Sequence, residues 1–199
     1  MLRRAWPGLV LAAVLTVPAA AQTVDEVIAK MFEARGGLDK LKAVQSIRMT
    51  GKVSMGPMEA PVVIEMKRPA SIRVDTTYQG RAAVQAYDGK AAWGISPVGA
   101  GRAEALPAEA AEAVADQADL DGPFVDYKAK GHRVALLGRE PIEGKDAFKL
   151  EVERKDGRLE DYFIDATSHL PIRVEGKRTV RGTVIEGEGT IGDYREAGG

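Results

Sequence analysis

Residues 62–95 read VVIEMKRPASIRVDTTYQGRAAVQAYDGKAAWGI. Polarity alternates here with period two. Val62, Ile64 and Met66 share one parity, with Val63, Glu65 and Lys67 on the other. Ile72 and Val74 are set against Arg73 and Asp75. The run 81–87 ends at Asp88-Gly89, and 91–95 is centred on Trp93. Upstream, Ile47, Met49 and Val53 alternate with Arg48, Thr50 and Lys52. Period-two alternation puts one face of each strand against a core and the other in water. Between 45 and 95 the pattern predicts five such strands. Their short connections carry Gly or Pro, which joins them as an antiparallel meander.

Outward from that stretch the period changes. Val24, Val27, Ile28 and Met31 fall on one helical stripe within 23–44. Gly36-Gly37 interrupts it, and Leu38, Leu41 and Val44 predict a second short helix. Residues 107–118 (PAEAAEAVADQA) begin with a first-turn proline and are dominated by alanine, which predicts another helix. Asp121-Gly122-Pro123 is a turn, and Phe124–Lys130 reads as one more short helix. Strands resume over 133–138, 146–154, 158–165, 170–180 and 182–194, with Asp156-Gly157 as a hairpin turn. The expected fold class is α+β. A long antiparallel sheet curls into an incomplete half β-barrel, and helices cover or plug its concave face.

The first 21 residues read as a secretory leader. Arg3 and Arg4 precede the apolar run Gly8–Val17, Pro18 breaks it, and Ala19-Ala20-Ala21 supplies small residues for cleavage before Gln22. The apolar run is about half the ~20 residues that a membrane-spanning helix needs. The expected domains are therefore a leader over 1–21 and one domain over 22–199. The chain stops at Gly199 soon after a strand, an ending expected of a sheet with a final strand or two still to come. The whole chain carries 28 basic and 29 acidic side chains. The leader would remove two arginines and no acid, leaving 26 against 29. That balance offers no strongly basic face for nucleic acid. The chain has no cysteine, which excludes disulfides, thiol chemistry and a lipid-bearing cysteine at the cut. The expected location is the periplasm, with no integral membrane segment in the processed chain.

Signals for catalysis are weak. His132 and His169 lie 37 positions apart at turns, with no patterned partner, and read as exposed turn histidines. No serine stands in a G-x-S-x-G context. Gly187-Glu-Gly189-Thr-Ile-Gly192 matches G-x-G-x-x-G by letter, but that fingerprint needs a helix to follow, and Thr190-Ile191 continues a strand. No enzyme activity, metal or cofactor is expected.

One charge breaks the strand pattern. Arg68 shares parity with Val62, Ile64 and Met66, and an inward arginine is costly unless it finds acceptors. Two readings stay open. Pro69 ends the strand and Arg68 turns to solvent, or Arg68 sits at the mouth of an apolar cavity, bonding helix carbonyls or a ligand head group. The apolar face itself is rich in methionine: Met49, Met55, Met58 and Met66. Methionine fills cores and also suits adaptable binding surfaces.

Lys67-Arg68-Pro69, Ile72-Arg73-Val74-Asp75, Tyr87-Asp88-Gly89-Lys90 and Trp93 together resemble a run in the bacterial lipoprotein-sorting carriers, the LolA-like proteins and the related LolB fold. Gly144-Lys-Asp-Ala-Phe-Lys-Leu and Phe163-Ile-Asp-Ala-Thr-Ser-His-Leu-Pro-Ile resemble the second set of strands in that family. The resemblance implies an unclosed barrel wrapped over helices, a hydrophobic cavity and carriage of acyl chains or lipoproteins between membranes, without catalysis. The family's arginine that holds the helical lid closed would fall on Arg68. The residues expected to form the ligand site and its lid are Arg68, Met49, Val62, Ile64, Met66, Ile72, Val74 and Trp93. The expected partner is a hydrophobic ligand, such as lipoprotein acyl chains or another lipid. The alternative is a non-enzymatic module that binds other envelope proteins through a sheet edge or the 107–130 insertion. A hydrolase ranks last.

Overall fold

The alternation over 46–105 produces six antiparallel strands: β1 (Ser46–Met55), β2 (Met58–Lys67), β3 (Ser71–Tyr78), β4 (Arg81–Tyr87), β5 (Ala92–Ile95) and β6 (Ala103–Ala105). They follow one another in space in sequence order. The computed structural model describes residues 22–55, 58–98, 101–180 and 183–196. The expected leader over 1–21, the side chains of Met55 and Met58, and the last residues 197–199 lie outside the described residues.

A second sheet holds β7 (Arg133–Ile142), β8 (Lys145–Glu153), β9 (Leu159–Asp165), β10 (Pro171–Val180) and β11 (Thr183–Thr190), in the order β11-β10-β9-β8-β7. The fold is α+β, with two unclosed antiparallel sheets and few helices. The meander divides at the insertion between β6 and β7, where the one long sheet expected from the pattern gives way to two. The three-residue β6 was too short to raise a periodic signal.

Three helices accompany the sheets: α1 (Val24–Ala34), α2 (Leu38–Ala43) and α3 (Ala108–Gln117). Thr23 caps α1. Its Oγ1 accepts from Glu26 N, and the Glu26 carboxylate accepts from Thr23 N, which satisfies two otherwise free amides. The apolar stripe of α1 meets the second sheet. Val27, Ile28, Met31 and Phe32 cluster with Phe148, Leu150, Val152 and Ile164, and Phe124 and Val125 complete this core. A smaller core forms where Val114 and Ala118 pack on Ile72 of the first sheet.

Phe124–Lys130 is a run of turns, not the helix expected. Gly122, Asp126 and Gly131 all adopt positive φ, at 70°, 51° and 76°, which no continuous right-handed helix accommodates. β7 runs four residues further than its alternation predicted, passing a register shift between Leu136 and Gly138. The hairpin at Asp156-Gly157 forms as read, with Gly157 at φ 82°. The Gly187–Gly192 motif lies in and just after β11, where Gly187 pairs with Gly176 and Gly189 with Val174. It opens no helix.

Candidate functional site, the covered face of the first sheet

Directly paired residues of an antiparallel ladder project to the same face. Met49 pairs with Ile64, and Ile64 with Val74. Ile47 pairs with Met66, Met66 with Ile72, and Ile72 with Tyr87. Val62 stands beside them, opposite Gly51 and Thr76. The register thus gathers Met49, Val62, Ile64, Met66, Ile72 and Val74 on one face, where parity within β2 spoke only for Val62, Ile64 and Met66. Trp93 is not among them. It pairs with Ala86, which pairs with Arg73, which pairs with Glu65, so it stands on the opposite face. The loop Asp88–Ala91 sets Tyr87 against Ala92, and this register places the next residue, Trp93, outside.

Helix α3 covers part of the apolar face. Ile64, Met66, Val74, Tyr87 and Leu106 pack around the buried trio Ile72, Val114 and Ala118. Towards the β1 edge the cover runs out, and Ile47 and Met49 remain 37% and 43% exposed. The covering helix itself is weakly apolar. Val114 is its one buried side chain.

Arg68 turns inward at the end of β2 and joins three segments. Its Nε donates to the Val44 carbonyl at 2.7 Å and its Nη2 to the Leu41 carbonyl at 3.3 Å, both at the C-terminal end of α2. Nη1 and Nη2 donate in parallel to the two carboxylate oxygens of Asp121, at 2.7 and 2.6 Å. The helix carbonyls were one of the two readings of this residue. Asp121, seen in the sequence only as part of a turn, supplies the charge that makes the inward position tolerable. The bond from Arg68 holds the Asp121 carboxyl below its ordinary pKa, against the opposing effect of burial.

Further ion pairs tie the same helical layer. Arg158 Nη2 reaches Asp116 of α3 at 2.6 Å, and Lys130 reaches Asp119 at 2.6 Å. Lys42 of α2 pairs with Asp126 at 2.9 Å. Asp25 of α1 accepts from Tyr127 at 2.9 Å and Lys128 at 3.1 Å, and these bonds lower its carboxyl pKa.

Both histidines are partly buried instead of exposed. His132 Nδ1 accepts from Lys155 N at 3.1 Å. Burial first, and then Arg154 and Lys130, push its pKa down. His169 takes positive φ, 58°, at the β9–β10 turn, where Asp165 accepts from the Thr167 and Ser168 amides. Among the described residues no group of three or more His, Asp or Glu is arranged to hold a metal ion. No helix among them is long and apolar enough to cross a membrane.

No family model and no curated protein matches the chain. Among solved structures the chain is similar to a LolA superfamily protein from Nitrosomonas europaea, at 15% identity and a TM-score of 0.45, over 82% of this chain and 75% of that one. An outer membrane lipoprotein-sorting protein domain from Vibrio parahaemolyticus gives 17% identity and 0.44, over 82% and 80%. The lipoprotein LppX from Mycobacterium tuberculosis gives 14% and 0.35, over 77% and 88%. The likeness concerns fold alone.

Sequence reasoning missed Asp121, Asp116 and Arg158, because each pairs across 42 or more positions. Nothing in a local pattern marks such partners.

Proposed function

We propose that the chain is an exported periplasmic carrier that shelters a hydrophobic ligand, such as the acyl chains of lipoproteins, against the concave face of its first sheet. The observation that carries this reading is the apolar face itself. It is half covered by a helix with a single buried side chain, and the covering layer is fastened to the sheet by Arg68 and Asp121. A core built only for stability would interlock large side chains there. An alanine-rich cover held at its margin by charges is suited to lifting off and returning. Met49 and Ile47, exposed at the open side, are the first apolar surface an incoming chain would meet.

The test is to purify the chain from the envelope fraction and examine it by native mass spectrometry, alongside titration with a fluorescent fatty acid. Co-purified lipid or saturable binding is the expected result. If neither appears, and the chain instead captures an envelope protein in a manner abolished by deleting 107–118, the interaction-module reading replaces this one. N-terminal sequencing of the exported form is expected to begin at Gln22.

A further inference from the structure

One cavity on the concave face lies away from its most apolar part. Beyond the start of α3 lies a cavity of about 500 Å³, within the range of roughly 300–1,000 Å³ typical of small-molecule sites. Val74, Ala83 and Leu106 give it apolar walls. Leu106 packs against the bare backbone of Gly94, where a β-carbon would stand 3.0 Å from Leu106 Cδ2 and 2.9 Å from the Val84 carbonyl.

Thr76, Tyr78, Gln85 and Ser96 interrupt this lining with polar groups, and the Ser96 hydroxyl already accepts from Val98 N. Thr76 pairs with Val62 and Ala83, and Gln85 with Val74 and Gly94, so both project to the same face as the apolar set. Gln85 is exposed in the cavity and has no hydrogen-bond partner among the described residues. At the rim, Arg102 and Glu104 are exposed, and neither forms an ion pair among the described residues. One cation and one anion give the rim no net charge with which to select an ionised head.

We infer that this cavity takes an amphipathic lipid with a neutral hydrogen-bonding head, bearing hydroxyl or amide groups, whose chain lies over Val74 and Leu106. The inference rests on the carrier reading and names its ligand class. A pure hydrocarbon would strip water from Gln85 and Thr76 without replacing it. A carboxylate can only accept, which leaves the hydroxyl or amide oxygen of these side chains unserved. Hydroxyl and amide heads both donate and accept, and so match them group for group.

The experiment compares monolauroylglycerol with laurate, below their micellar concentrations, as competitors of a bound fluorescent acyl probe. With its head-group hydrogen bonds returned to the side chains of Gln85 and Thr76, the glycerol ester is expected to bind roughly tenfold more tightly than laurate. Gln85→Leu and the near-isosteric Thr76→Val should each shrink that preference, with laurate affinity unchanged or raised. Unaltered thermal midpoints would confirm that both variants fold. Equal affinity of the two lipids, or a preference that survives both substitutions, overturns the head-group assignment and leaves the carrier reading intact. Binding of neither lipid overturns both.

Discussion

Arg68 and Asp121 form one unit whose two halves are 53 positions apart. Removing either leaves the other partly buried without its countercharge, which is the expensive way to break such a pair. Arg68→Leu and Asp121→Asn are both expected to free the segment 107–130, read as several-fold faster limited proteolysis within it. Equal digestion of variants and wild type would remove the pair's fastening role. Acid should act on the same bond. The folded pKa of Asp121 lies below the unfolded value, about 3.9 for an aspartate. The pair's contribution is thus complete above that value and is lost as pH falls through the lower, folded one. Digestion with an acid-active protease should accelerate in that window, and Asp121→Asn should flatten the change. His132 gives a second pH dependence in a milder range. Its folded pKa lies below the unfolded value of about 6.5, so the unfolded chain takes up a proton first as pH falls. Stability is expected to decline below about pH 6.5, and His132→Gln to reduce the difference between urea midpoints at pH 7.5 and 5.5.

At the scale of elements, the two sheets are braced unequally. Against the second sheet, α1 buries Val27, Ile28, Met31 and Phe32. Against the first, α3 buries Val114. Close approach matters there instead, at Gly94. Gly94→Ala brings a new methyl group against the Val84 carbonyl, a backbone atom that cannot swing away, and against Leu106. A loss of about 1–3 kcal/mol in urea unfolding is expected. An unchanged midpoint would mean that β4 and β6 have more room than the structure gives them. α1, α2 and most strands were legible because each rests on a local period, and α3 because of its first-turn proline and alanine content. The site was legible where it depends on parity within one strand, as for Ile64, Met66 and Arg68. It was illegible where it depends on register between strands. Trp93 sits in an alternating run like its neighbours, yet the length of the Asp88–Ala91 loop decides which way it faces. Phe124–Lys130 failed for another reason, since Asp126 takes a left-handed conformation that its residue type permits but does not announce.

Over the whole molecule, helices on the sheets are held by two kinds of force. Apolar burial fixes α1, while charges gather on the connector that follows α3, at Asp119, Asp121, Asp126 and Lys128. These charges do not sit equally deep. Lys42–Asp126 and Lys128–Asp25 face solvent, whereas the Arg68 and Asp121 side chains are only 22% and 21% exposed. With no cysteine in the chain, no covalent staple backs them up. Ionic strength therefore becomes the handle on this layer. The Debye length falls from about 8 Å near physiological salt to about 3 Å at 1 M, and exposed pairs weaken first. In concentrated NaCl the outer ties should fade, leaving the layer on Arg68–Asp121 and the partly buried pairs Lys130–Asp119 and Arg158–Asp116. Proteolysis at 107–130 is then expected to respond more steeply to salt in Arg68→Leu than in wild type, and parallel responses would refute the ranking. The cover of this sheet answers to the electrolyte around it, while redox conditions have nothing in it to act upon.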